Sequence, residues 1–175
     1  MKKILVLLFM LLGLTTFAQA EELKRGVSAS DWSFNDANDK AFSMQSWAGK
    51  VLVINYVDPD EAELNEPFTD ALTKAKKSGT LDNEKYIAIG IADCAATWKP
   101  NFAIKAIAGK KAKKYKTTIL FDLKATLREA WELKKDTSNI IILDKNRVCR
   151  SIIRGKVRDD QILSLVKLVA KLQDK

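Results

Sequence analysis

The run Val51-Leu52-Val53-Ile54-Asn55-Tyr56-Val57 is apolar on both faces, so both must be covered by other parts of the chain. A strand of that kind belongs in the middle of a largely parallel sheet with helices on either side, which restricts the chain to an α/β architecture. Tyr86–Ala92, ending at Asp93-Cys94, and Asn139–Leu143 are further runs of the same character. The acidic turn Asp58-Pro59-Asp60-Glu61-Ala62-Glu63-Leu64-Asn65-Glu66-Pro67 follows the first. It stands at the carboxyl end of a central strand and leads into a helix, the place where many α/β domains carry their chemistry. It holds no cysteine, no histidine and no glycine-rich loop.

Residues 1–20 read as a secretory signal peptide. Lys2 and Lys3 form its positive start, Ile4 to Leu14 its apolar core, and Ala18-Gln19-Ala20 its cleavage site. Cleavage is expected after Ala20, leaving residues 21–175 as one domain in the periplasm. The apolar core is shorter than the roughly 20 residues that span a bilayer, and no cysteine stands at the cleavage point to take a lipid. No transmembrane segment is therefore expected after cleavage, and export argues against a nucleic-acid partner despite a net charge of +8.

Histidine is absent, which excludes Ser-His-Asp and Cys-His catalysis and every histidine metal ligand. Cys94 and Cys149, the two cysteines, cannot alone make a four-ligand zinc site. No catalytic residue, metal site or cofactor is expected.

Before the first buried strand, Asp31–Phe34 and Ala41–Met44 read as arms of a β-hairpin around Asn35–Lys40, with Trp32, Phe34, Phe42 and Trp47 as core or edge cover. A helix is expected over about 60–77, with Asp60, Glu61, Glu63 and Glu66 in its first turns, Lys74, Lys76 and Lys77 in its last, and a kink at Pro67. Helix-dipole pairing accounts for those charges without a cation site. Residues 99–116 carry seven lysines and no acid, with Phe102, Ile104, Ile107 and Ala108 as the apolar side of an amphipathic helix. That basic side is either a solvated face or a contact for an anionic partner. Thr117–Phe121 is a short strand, Ala125–Leu133 a short helix, and Val148–Ile153 an antiparallel edge strand after a turn at Lys145-Asn146. Asp159 is expected to cap a last helix reaching Gln173, whose Ile162, Leu165, Val166, Val169 and Leu172 face the sheet.

This order of elements, from about Trp32 to Leu172, resembles a secreted thioredoxin-like domain of the type found in cytochrome-maturation thiol reductases and peroxiredoxins. Ala48–Tyr56 looks like the strand that precedes Cys-x-x-Cys in such proteins, and Pro67 falls where their active-site helix has its proline. Ala48-Gly49-Lys50-Val51, Ala130-Trp131-Glu132-Leu133, Thr137–Lys145 and the C-terminal helix are similar to the YtfJ family of exported thioredoxin-like bacterial proteins. The turn after Lys145 departs from that family in lacking the usual Asp-Gly. The resemblance implies an α/β thioredoxin-like three-layer sandwich: a central mixed sheet flanked by helices, with an N-terminal β-hairpin. It also implies where the chemistry should be. The cysteine positions fall on Pro59 and Ala62, or near Glu61 and Leu64 by a count from the strand, and the cis-proline position falls on Ser138. A thiolate, its resolving thiol and the proline are all missing.

On this map the strands of Cys94 and Cys149 are three steps, roughly 14 Å, apart, whereas a disulfide needs Cα atoms within about 7 Å. No bridge is expected. The function expected from these residues is a periplasmic, redox-inactive thioredoxin-like binding module for a periplasmic protein or an anionic envelope surface. Its candidate interaction surface is Asp58, Asp60, Glu61 and Glu63 with Lys110, Lys111, Lys113 and Lys114. The alternatives are a single-cysteine oxidoreductase or peroxidase with Cys94 as the reactive thiol, and a regulator, after the transcriptional-regulator label the family sometimes carries. An exported chain without a DNA-binding motif gives the last no support.

Overall fold

Seven strands make one mixed sheet in the computed structural model, which describes residues 22–174; the signal-peptide reading lies outside the described residues. In chain order the elements are β1 (Ser33–Asp36), β2 (Ala41–Ser43), β3 (Val51–Val57), α1 (Glu66–Lys77), β4 (Tyr86–Asp93), α2 (Asn101–Tyr115), β5 (Thr118–Asp122), α3 (Thr126–Ala130), β6 (Ser138–Leu143), β7 (Cys149–Arg154) and α4 (Asp159–Gln173). The strand order is β2-β1-β5-β4-β3-β6-β7. The two-sided apolar run lies where its composition requires, as β3 between parallel β4 and antiparallel β6. β1 and β2 form the expected hairpin, Phe34 opposite Phe42, and join the sheet through β5.

Alternation along β3 sorts the core into two faces. Val51 and Val53 pack with Phe68 and Leu72 of α1 and with Val166, Val169 and Leu172 of α4. Leu52, Ile54 and Tyr56 face the other way, onto Met44, Leu127 of α3 and Trp131. Trp32 stacks on Phe34 and Phe42 on Trp47, with ring centroids 5.6 and 5.3 Å apart, so these aromatics cover the sheet as expected. The result is a three-layer α/β sandwich.

Four local expectations are corrected. α1 begins at Glu66, not near Asp60; Pro59–Glu61 is a separate 3-10 turn capped by the Asp58 carboxylate. Pro67 explains the late start. A helix running through it from Asp60 would need a backbone donor it does not have, whereas in the first turn that donor has no helical partner to lose. Pro67 therefore opens the helix and does not kink it. Asp159 is the first helical residue, with Arg158 at the cap position and no side-chain cap bond, so its carboxylate acts on the helix dipole only. On α2, Ile104 and Ala108 are buried, but Phe102 and Ile107 are 77% and 42% exposed; the buried side is narrower than the sequence pattern suggests.

Candidate functional site

The carboxyl half of β3 carries a polar network. The Ser138 hydroxyl donates to Asn55 Oδ1 (2.7 Å) and accepts from Asn65 Nδ2 (2.8 Å). Asn65 also donates to the Gly155 carbonyl (3.1 Å), and its Oδ1 accepts from the Val157 backbone N–H (2.8 Å). Asn65 and Ser138 are buried. Asn65, just before α1, thus ties that helix to the start of β6 and to the segment entering α4. These bonds satisfy polar groups that burial would otherwise penalise. Pro59, Glu61, Ala62 and Leu64, the positions at which a thiol pair would stand, lie in the 3-10 turn and the turns after it.

The acidic turn and the lysine-rich helix meet. Asp60 pairs with Lys99 and accepts from the Thr97 hydroxyl (2.6 Å), which fastens the turn to the segment before α2. Lys111 donates to the Ala62 carbonyl (2.5 Å) and pairs with Glu66 (3.1 Å), joined by Lys114 at 3.5 Å. Burial raises the Glu66 pKa, but the hydrogen bond and charge of Lys111, with Lys114, outweigh it and hold the carboxyl below its ordinary value. Asp58 is buried; burial and the nearby Asp136 push its carboxyl up against the opposing Lys99 and Lys135. Glu61, Glu63, Lys110 and Lys113 remain exposed, and among the described residues their side chains make no hydrogen bond or ion pair. Asp58, Asp60, Lys111 and Lys114 thus brace the junction, Asp60 and Lys114 while still exposed, and the other four face solvent. The exposed Trp98, at 89%, stands in the segment braced to Asp60 and was not singled out by sequence reasoning.

Both cysteines are free and buried, and the sheet order places β3 and β6 between their strands. Cys94 packs with Ala92, Ile104, Ala108 and Phe121 under α2, its Sγ 3.7 Å from the Ala92 carbonyl. Burial, then the charges of Asp93 and Asp122, push its thiol up to about 12. The edge-strand Cys149 is fully buried, its thiol also raised by burial. Asp93 and Asp122 are register partners on β4 and β5. Asp93 pairs with Arg128, while Asp122 accepts from Tyr56 Oη (3.0 Å) and from the Thr126 and Leu127 backbone at the start of α3 (2.9 and 2.8 Å). The sequence signal for this buried group is an aspartate closing each of two neighbouring strands.

A family model described as "Bacterial protein of unknown function (YtfJ_HI0045)" matches residues 25–172. An uncharacterized protein of Haemophilus influenzae is 26% identical over 160 residues, 86% of this chain and 85% of that one. Among solved structures, a Bacteroides thetaiotaomicron protein described as a candidate protein disulfide isomerase superposes with a TM-score of 0.68 at 17% identity, over 87% of this chain and 92% of that one. Peroxidoxin BcpB of Mycobacterium tuberculosis gives 0.62 at 12% identity, over 86% and 97%. The exposed lipoprotein thioredoxin of Streptococcus pneumoniae gives 0.58 at 15% identity, over 79% and 99%. At these identities the likeness establishes a thioredoxin-like fold.

Proposed function

The chain belongs to the YtfJ_HI0045 family, and on that premise we propose that it is a periplasmic binding module: a thioredoxin-like scaffold that carries out no thiol–disulfide exchange. The observation that carries this reading is the Asn55–Ser138–Asn65 network, in which Ser138 occupies the position the resemblance assigns to the proline and is bound to Asn65 at the start of the helix that would follow the thiol pair. The thiols support it from the other side. A thiol at about 12 is almost wholly protonated at neutral pH, and the nucleophile of exchange or peroxide reduction is the thiolate. Cys94 therefore makes a poor single-cysteine peroxidase. Similar structures are named for thiol chemistry, but that chemistry needs groups these positions do not hold.

The contact surface in this reading is the exposed part of the acid–lysine junction, Glu61, Glu63, Lys110 and Lys113, with Asp60, Lys111 and Lys114 fixing its shape and Asp58 capping its turn. The partner is a charged envelope component, a protein face or the anionic lipid surface. No helix among the described residues is long and apolar enough to cross a membrane, so contact in this reading is peripheral. Lys110→Glu with Lys113→Glu, and separately Glu61→Lys with Glu63→Lys, test it. Lys110→Glu with Lys113→Glu is expected to reduce both recovery with envelope fractions and sedimentation with anionic vesicles, an effect also produced by salt, whereas Glu61→Lys with Glu63→Lys is expected to reduce recovery with a protein partner while leaving vesicle sedimentation equal or higher. Recovery unchanged by both reversals would remove this surface from the reading.

A further inference from the structure

A central strand flanked on both sides should be fully covered, yet Ala88 and Gly90 of β4 are only half-buried. α1 packs with α4 over β3 and β6, while α2 packs over β5 through Ile104 and Ala108 against Phe121. Between them the sheet is left open as a groove of about 150 Å³. Its floor is the small side of β4, Ala88, Gly90 and Ala92, and its walls include Phe68 and Leu72 from α1 and Ile104 and Ile107 from α2. Ile119 closes in beside the floor, where a Cβ on Gly90 would lie 3.3 Å from its Cγ1.

The charge around this apolar space is one-sided. Its lining carboxylate, Glu66, is already held by Lys111 and Lys114. Lys76 near the end of α1 and Lys116 just after α2 also line the groove, are exposed, and have no ion-pair partner among the described residues. An apolar channel with unpaired cations at its rim suits a molecule with an apolar tail and an anionic head. A dry cavity of about this volume accommodates benzene, which sets the tail at about six carbons.

We propose that the groove between α1 and α2 binds a small anionic amphiphile, its short acyl chain along β4 and its head group at Lys76 and Lys116. This site goes beyond the charged surface described above; it shares Glu66 and Lys111 with that junction, but Lys76 and Lys116 lie outside it and let the two be tested separately.

Calorimetric titration of the purified protein with sodium octanoate, and with octan-1-ol as the uncharged counterpart, tests the proposal. One saturable octanoate site is expected, with octanol at least tenfold weaker. Lys76→Gln combined with Lys116→Gln should bring octanoate down to the octanol level. Ala88→Phe fills the floor and Thr73→Trp fills the groove from α1; whichever of them melts cooperatively should bind neither ligand. Absence of saturable octanoate binding, octanol binding as tight as octanoate, or undiminished binding in a folded filling variant would each overturn it.

Discussion

Arg147 shows how much one residue can hide from sequence reading. It stands at φ 62 in the turn between β6 and β7, a left-handed position that glycine fills without strain. Its guanidinium is buried and donates to the backbone carbonyls of Trp47 (2.5 Å), Lys50 (2.7 Å) and Met44 (3.2 Å), closing the segment before β3. Two effects therefore oppose each other in Arg147→Gly. Relief of backbone strain stabilises by about 1 kcal/mol, whereas three carbonyls lose a charged donor, at about 1.5–3 kcal/mol for each such bond. The second wins, and urea unfolding should place the variant at least about 2 kcal/mol below wild type. A neutral or stabilising result would mean that the turn, and not the guanidinium, explains the residue. Cys94 makes a pH prediction of definite sign. Its ordinary value is 9.0 and its folded value about 12, so the unfolded chain releases its proton first as pH rises. Its contribution to stability is complete below pH 9 and is lost as pH climbs towards 12. Tyr56 and Tyr86, both pushed up from 10.0 chiefly by burial, extend the loss to higher pH. Cys94→Ala should flatten the part of the stability curve between pH 9 and 10, measured by denaturant titration at each pH.

Lys111 matters at the scale of elements, because it fastens the acidic turn and the start of α1 to α2. Lys111→Met keeps the side-chain stem and removes the charge. It should cost about 1–2 kcal/mol and speed amide exchange in α2 and residues 58–65, leaving β3 and β6 protected. Equal exchange in both proteins would show that the bridge restrains nothing. Glu66 has a lowered folded pKa, so its contribution is present above its ordinary 4.5 and is lost as pH falls through the folded value. In Lys111→Met that acid limb should be shallower. Elements whose pattern is decided by burial were legible in the sequence: β3, β4 and β6 through two-sided apolar runs, and α4 through its stripe. The start of α1 was not, because acids before a proline fit a helix N-terminus and a capped turn equally well. Phe102 and Ile107 were misplaced because periodicity marks an apolar side without saying how much of it a neighbour covers.

At the scale of the molecule, the sheet order and the thioredoxin-like scaffold follow from strands that local sequence identifies. The site does not, because it is assembled across the chain. Asn55, Asn65 and Ser138 read singly as unremarkable polar residues, and 83 positions separate Asn55 from the hydroxyl it accepts from. The groove on β4 is equally hidden: Ala88 and Gly90 look like ordinary strand residues until α1 and α2 are seen to stand on either side of them. The central claim is that this scaffold works without thiol chemistry. The most direct test measures insulin reduction with dithiothreitol as electron donor, and peroxide consumption, for wild type and for the Cys94→Ala, Cys149→Ala double variant. Both proteins should match the protein-free background in both assays. Turnover by wild type that disappears in the double variant would contradict the claim outright.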